Sequence, residues 1–96
     1  MHMDDLLKAN RSEILQIAAR HGAYNVRIFG SVARGEADSS SDIDLLVKFE
    51  RGTTLLGHAA LIHELEDLLG VKVDVVSEHG LRERVRERVL GEAVAL

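Results

Sequence analysis

Cysteine, proline and tryptophan are all absent from the 96-residue chain, and Tyr24, Phe29 and Phe49 are its only aromatic residues. Without cysteine there is no disulfide and no thiolate metal site, and the composition fits a reducing compartment. Three scattered aromatics leave no stacking platform for single-stranded nucleic acid. A formal charge of -4 leaves no broadly basic surface for phosphate backbones, so nucleic acid is not expected as a bulk ligand. No apolar run approaches the roughly 20 residues that cross a bilayer, and no signal peptide precedes the first expected helix. A cytoplasmic location away from membranes is therefore expected. With no proline, chain punctuation falls to glycine, chiefly Gly22, Gly30, Gly35, Gly52, Gly70, Gly80 and Gly91.

What is present is a globular composition, 46% hydrophobic and 29% charged. A chain this long supports one core, burying roughly 60–70% of the surface its unfolded form exposes. A single domain over residues 3–96 is expected, with Met1-His2 read as an expression scar ahead of a Met3 start.

Apolar spacing predicts a helix from Met3 to His21, with Leu7, Ile14, Leu15 and Ala18 on one face and Gly22 as its stop. A short strand over Asn25–Phe29 follows, then a turn from Gly30 to Gly35 running into one helical turn. A polar loop (Ala37 to Ser41) leads to a second strand, Ser41–Phe49. Thr53 or Thr54 caps a helix to Leu69, its stripe being Leu55, Ala59, Ile62, Leu65 and Leu69, and Gly70 ends it. Val71–Val76 is a third strand. Ser77 is a candidate cap for a last helix to Leu90, with Leu81, Val85 and Val89 facing inward. Strands interleaved with helices imply an α/β (α+β) fold, a mixed sheet of three to four strands covered by helices. The first two strands are too closely linked for a crossover and should be antiparallel.

The chemistry concentrates in IFGSVARGEADSSSDIDLLV, residues 28–47. Gly30-Ser31 after a strand can offer backbone N–H groups and a hydroxyl to a phosphate, though the pair also fits an ordinary turn. Asp42 and Asp44, two apart at a strand's start, would project from one face. Together they suit Mg²⁺, which takes one or two carboxylates plus phosphate oxygens and water. A solvated loop end would carry the same Asp-x-Asp. Asp74 lies in a strand-like run of valines and could complete the metal site or face water at a sheet edge. Asp38, Ser40, Asp42 and Asp44 also match alternate positions of a calcium-binding EF-hand loop. That reading fails on Ile43, where the turn requires glycine, and on Phe49, where a bidentate glutamate is required. The last helix carries Arg82, Arg84, Arg86 and Arg88 against Glu83 and Glu87, which reads as a solvated face with local ion pairs rather than a docking surface. His21, His58, His63 and His79 show no metal-ligand spacing and are expected at the surface or an interface.

Taken together, Phe29-Gly30-Ser31, ten intervening residues, Asp42-Ile43-Asp44 and a later Asp74 resemble the signature of the DNA polymerase β-like nucleotidyltransferase superfamily. The form GSxARGExxxxSDIDLLV, with the ending RERVLGEAVAL, is most similar to the minimal nucleotidyltransferase (MNT) proteins. The resemblance implies that Gly30 and Ser31 hold the triphosphate of ATP and that Asp42 and Asp44 bind two Mg²⁺ ions. It implies further that Asp74 shares one metal and helps deprotonate the attacking hydroxyl. Arg34 matches a residue common in the MNT pattern and would contact phosphate or a partner; a solvated turn residue is the plainer alternative. MNT proteins are typically encoded beside HEPN-domain ribonuclease toxins and act as their antitoxins. The implied function is therefore transfer of AMP from ATP to a tyrosine of a HEPN partner. Two alternatives stand beside it, an antitoxin that neutralises by binding alone and a small-molecule nucleotidyltransferase. A chain without an acceptor-binding domain must borrow that site from the partner or from a second copy.

Overall fold

The computed structural model describes residues 3–38 and 40–96. Met1 and His2, expected to be an expression scar, lie outside these residues, as does Ser39 of the polar loop. The chain opens with two helices rather than one, α1 over Met3–Ala9 and α2 over Arg11–Arg20. The break is at Asn10. Its side-chain Nδ2 donates to the Leu6 carbonyl at 2.9 Å, the same carbonyl that its main-chain N–H reaches at 3.2 Å. An asparagine that satisfies the preceding turn with its own side chain offers the backbone an alternative to continuing the helix. Leu7 of α1 and Ile14, Ile17 and Ala18 of α2 still reach one core.

Strand β1 spans Ala23–Phe29 and pairs antiparallel with β2, Ile43–Phe49, as the short connection predicts. Tyr24 faces Lys48 while Arg27 faces Leu46, so β1 carries one extra residue, a bulge at which Asn25 adopts φ 52°. The bulge resets the alternation, and Ala23, Val26 and Ile28 all point to the core. Between the strands, Gly30–Ala33 forms the single helical turn α3. Helix α4, Leu55–Leu69, starts at Thr54, whose hydroxyl accepts from Gly57 N–H at 3.0 Å, and stops at Gly70 in the left-handed conformation. It crosses to β3, Val73–Ser77, which lies parallel to β2. The buried stripe of α4 is Leu61, Leu65 and Leu69, each such side chain contributing about 1.5–3 kcal/mol when removed from water. Leu55 and Ala59, expected in that stripe, are exposed, because the first two turns of α4 overhang the core.

After β3 a 3-10 turn over Glu78–Gly80 precedes α5, Glu83–Glu92. Ser77 makes no side-chain cap, and of the three inward residues expected here Val89 alone is buried, with Val85 exposed. The chain ends in a two-residue strand β4, Val94–Ala95, antiparallel to β1. The sheet order is β3-β2-β1-β4. One face, with Ile43, Leu45, Val47, Val73 and Val75, packs under α1, α2 and α4. By strand alternation the other face carries Asp44, Leu46 and Lys48 from β2 and Asp74 from β3. Among the described residues no helix is long and apolar enough to cross a membrane.

Candidate active site

Asp44 and Asp74 are register partners on the parallel pair β2–β3, so their side chains leave the same face of adjacent strands. On its other flank Asp44 pairs with Phe29, the residue before Gly30. Asp44 is half-buried while Asp42 and Asp74 are exposed. Asp42 precedes β2 by one residue instead of lying within it, yet its charge still acts on Asp44. Burial is the main cause that pushes the Asp44 carboxyl above its ordinary range, followed by repulsion from Asp74 and Asp42, with Arg34 opposing. Asp44 thus sits between two like charges, held there by the apolar residues Ile43 and Leu45 on either side of it.

Gly30 makes this placement sterically feasible. It adopts φ +74°, and a Cβ at that position would overlap Asp44 Oδ2 and stand 3.1 Å from Asp44 Cγ. Glycine is therefore required twice, for the left-handed backbone and for the approach of the carboxylate. Ser31 follows on α3, half-buried, and its carbonyl accepts from Glu36 N–H at 2.9 Å. Arg34 closes the turn, with Nε on Glu36 Oε2 at 3.1 Å and Nη1 on Glu92 at 3.2 Å. All six residues expected at the site, Gly30, Ser31, Arg34, Asp42, Asp44 and Asp74, thus gather at one end of the sheet.

A seventh residue there was not anticipated. Glu92, the last residue of α5, accepts the Gly30 N–H on Oε2 at 2.6 Å. That bond, then the contact with Arg34, holds the Glu92 carboxyl below its ordinary range. Its signal in the sequence is slight, a lone acid inside the apolar ending Val89–Leu96. A shallow cavity of about 300 Å³ beside it is lined by Phe29, Gly30, Arg34, Arg88, Val89 and Glu92.

Among the described residues no three His, Asp or Glu side chains converge closely enough to enclose a metal ion unaided. The paired, mutually repelling Asp44 and Asp74 nevertheless fit a hard divalent cation that completes its shell with phosphate oxygens and water. Among the described residues no histidine bonds to the residues at this end of the sheet. His21 and His58 are half-buried, bonding Glu64 at 3.0 Å and the Val75 carbonyl at 2.6 Å, and His58 also packs on Phe49. His63 and His79 are exposed, and so are Arg82, Arg84, Arg86 and Arg88, none of which forms the expected ion pair with Glu83 or Glu87.

Comparison with known proteins fits this geometry. The family model described as nucleotidyltransferase domain matches residues 11–96. A proposed protein adenylyltransferase of Methanocaldococcus jannaschii is 42% identical, covering 88% of this chain and 90% of the relative. The protein adenylyltransferase MntA of Thermococcus cleftensis is 38% identical over 96% of this chain and 90% of its own length. A proposed minimal nucleotidyltransferase of known structure superposes with a TM-score of 0.87 at 61% identity, covering 96% of this chain and 94% of that one. Two more distant structures share the fold. One is a toxin–antitoxin with AMP-PNP, with a TM-score of 0.78 at 20% identity over 90% of this chain and 71% of that one. The other, with a TM-score of 0.70 at 18% identity over 92% and 69%, is a complex of a tri-AMPylated Shewanella oneidensis HEPN toxin with its MNT antitoxin. With a family match over residues 11–96 and relatives that cover 88–96% of it, the chain belongs to the nucleotidyltransferase domain family, as an enzyme of the minimal nucleotidyltransferase type.

Proposed function

We propose that this chain transfers AMP from ATP, with Mg²⁺, to a tyrosine hydroxyl of a HEPN-domain ribonuclease and acts as that toxin's antitoxin. The observation that carries the reading is the in-register pair Asp44–Asp74 set against a glycine that has no room for a side chain. The protein adenylyltransferase relatives support AMP as the transferred group and a protein as its acceptor, and the AMPylated toxin in a complex of the same fold suggests the acceptor's class.

Asp42 and Asp44 would hold Mg²⁺, with Asp74 sharing it, and Gly30, Ser31 and Arg34 would bind the triphosphate. When bound, the ions supply charge neutralisation at the α-phosphate and the departing pyrophosphate. Asp44, set on β2 between the buried Ile43 and Leu45, would hold its ion from a rigid strand. Asp74, exposed and one strand further out, would help take the proton of the incoming hydroxyl. The new bond joins the acceptor oxygen to the α-phosphorus, the bond from that phosphorus to the β-phosphate bridge oxygen breaks, and pyrophosphate leaves with the electron pair.

Incubation of the protein with a HEPN partner, ATP and Mg²⁺ should add the mass of AMP to the partner, and Asp42→Asn/Asp44→Asn should abolish the gain. An unmodified partner, neutralised equally well by the double variant, would overturn the catalytic reading in favour of antitoxin action by binding alone.

A further inference from the structure

Two of the three residues assigned above to the triphosphate, Gly30 and Arg34, already bond the chain's own carboxylate. Glu92 Oε2 lies 2.6 Å from Gly30 N and 3.2 Å from Arg34 Nη1. A main-chain N–H has one proton to give, whereas Arg34 spends Nε on Glu36 and Nη1 on Glu92 and keeps Nη2 without a partner among the described residues. A phosphate cannot use the Gly30 N–H until Glu92 has left it. Glu92 can leave without unfolding anything, because its backbone is fixed on both sides. Ala93 N–H closes the last turn of α5 on the Val89 carbonyl at 2.9 Å, and Val94 pairs with Ile28. What moves is a side chain with three rotatable bonds. It also has somewhere to go. Arg88 stands one turn earlier on the same helix face, is exposed, lines the same cavity and already attracts Glu92 electrostatically.

We propose that Glu92 gates the nucleotide site: its carboxylate occupies the Gly30 N–H and one arm of Arg34 in the free enzyme and is handed to Arg88 when a triphosphate enters. The gate rests on the nucleotide-binding reading of Gly30 and Arg34. It makes nucleotide entry an exchange of one anion for another, and return of Glu92 favours departure of the pyrophosphate product. A closed population lowers apparent affinity by the open fraction. Breaking a charge-assisted hydrogen bond to open the site corresponds to about a tenfold effect.

The test is calorimetric titration of the full chain with a non-hydrolysable ATP analogue and Mg²⁺, using wild type, Glu92→Gln, Arg88→Ala, their double variant and Arg34→Ala. Thermal melts of each report folding, and Glu92→Ala serves as a second variant if Glu92→Gln melts early. The expected result is tightening of about tenfold in Glu92→Gln, weakening in Arg88→Ala, and no effect of Arg88→Ala once Glu92 is neutral. Unchanged or weaker binding in both folded Glu92 variants overturns the gate while leaving the nucleotide site standing. Equal weakening by Arg88→Ala in both backgrounds overturns the hand-over, since Arg88 would then be touching phosphate itself. Absence of binding in every variant, or full binding in Arg34→Ala, instead strikes the nucleotide reading beneath it.

Discussion

Replacing Gly30 by alanine should damage fold and site through two separable effects. The first is backbone strain, since at φ +74° a Cβ crowds the following carbonyl, at a cost of about 1–2 kcal/mol. The second is overlap of the new methyl with Asp44 Oδ2, with Cγ only 3.1 Å away. Asp44 relieves it by turning off its rotamer, for about 0.5–1.5 kcal/mol more. The total is roughly 2–3 kcal/mol, and at about 4–8 °C per kcal/mol for a domain near 100 residues the melting temperature should drop by about 10–20 °C. The two effects part company in an Asp44→Ala background. That truncation removes Oδ2 and Cγ and leaves only the Asp44 Cβ, at 3.4 Å from the new methyl, an ordinary contact. Gly30→Ala should therefore cost about 1 kcal/mol less there, a coupling measurable by urea denaturation of the four proteins. An equal cost in both backgrounds would show that the carboxylate does not dictate the glycine.

Two further substitutions test the charge arrangement. Asp44→Asn should abolish transfer yet stabilise the metal-free protein by about 0.5–1 kcal/mol, raising its melting temperature by a few degrees, because like charges on adjacent strands destabilise. A carboxyl raised by folding loses stability as pH climbs from its unfolded value through its folded one, so this gain should be full at pH 7 and vanish below about pH 3.5; a gain that persists in acid sinks the argument. Glu78→Ala removes the buried acid that Arg27 reaches at 2.8 Å and Lys48 at 3.4 Å, leaving an arginine whose Nη2 already has no partner. A loss of about 2–4 kcal/mol is expected at pH 7. The Glu78 carboxyl is lowered by folding, chiefly through the Arg27 hydrogen bond, so its contribution holds above the ordinary carboxylate range and fades as pH falls through the folded value. The gap between wild type and variant in urea denaturation should therefore narrow below about pH 4.

Local signals with a single physical cause were readable in the sequence. Thr54 and Gly70 bound α4 where a hydroxyl cap and a left-handed stop predict, and the short link between β1 and β2 makes them antiparallel. What stayed hidden depends on competition or on distant partners. Asn10 could have continued a helix; its side chain takes the Leu6 carbonyl instead. Asn25 shifts the alternation of β1 by one residue, which masked the strand's true start at Ala23. Helical periodicity gives the angle of Leu55 around α4 but not how far along the helix the core extends, and Leu55 is 88% exposed. β4 exists only because Val94 and Ala95 find the free edge of β1. The same division holds at the site. The Gly-Ser turn and the Asp-x-Asp pair could be found by spacing, and Asp74 by family resemblance. Glu92 could not, since its partners lie 62 and 58 residues away and nothing local marks it.

The strand order also assigns the two substrates different sides of Asp44 under the proposed reading. Gly30, Arg34 and Glu92 lie toward β1 and α5, whereas Asp74 lies on β3, an edge strand with no neighbour beyond it among the described residues. Nucleotide phosphates would meet their donors on the β1 side, where the proposed gate makes entry a side-chain exchange. An acceptor hydroxyl would meet Asp74 on the β3 side, where the carboxylate is already exposed. A protein acceptor suits that edge, where Asp74 stands open to solvent. It also brings its own surface to exclude water from the reacting oxygen. The rigid part of the site is the strand pair that carries Asp44 and Asp74. The adjustable parts are Arg34 and Glu92, side chains at the ends of helices, so the charge at the phosphate side can be exchanged without disturbing the carboxylates that face the acceptor.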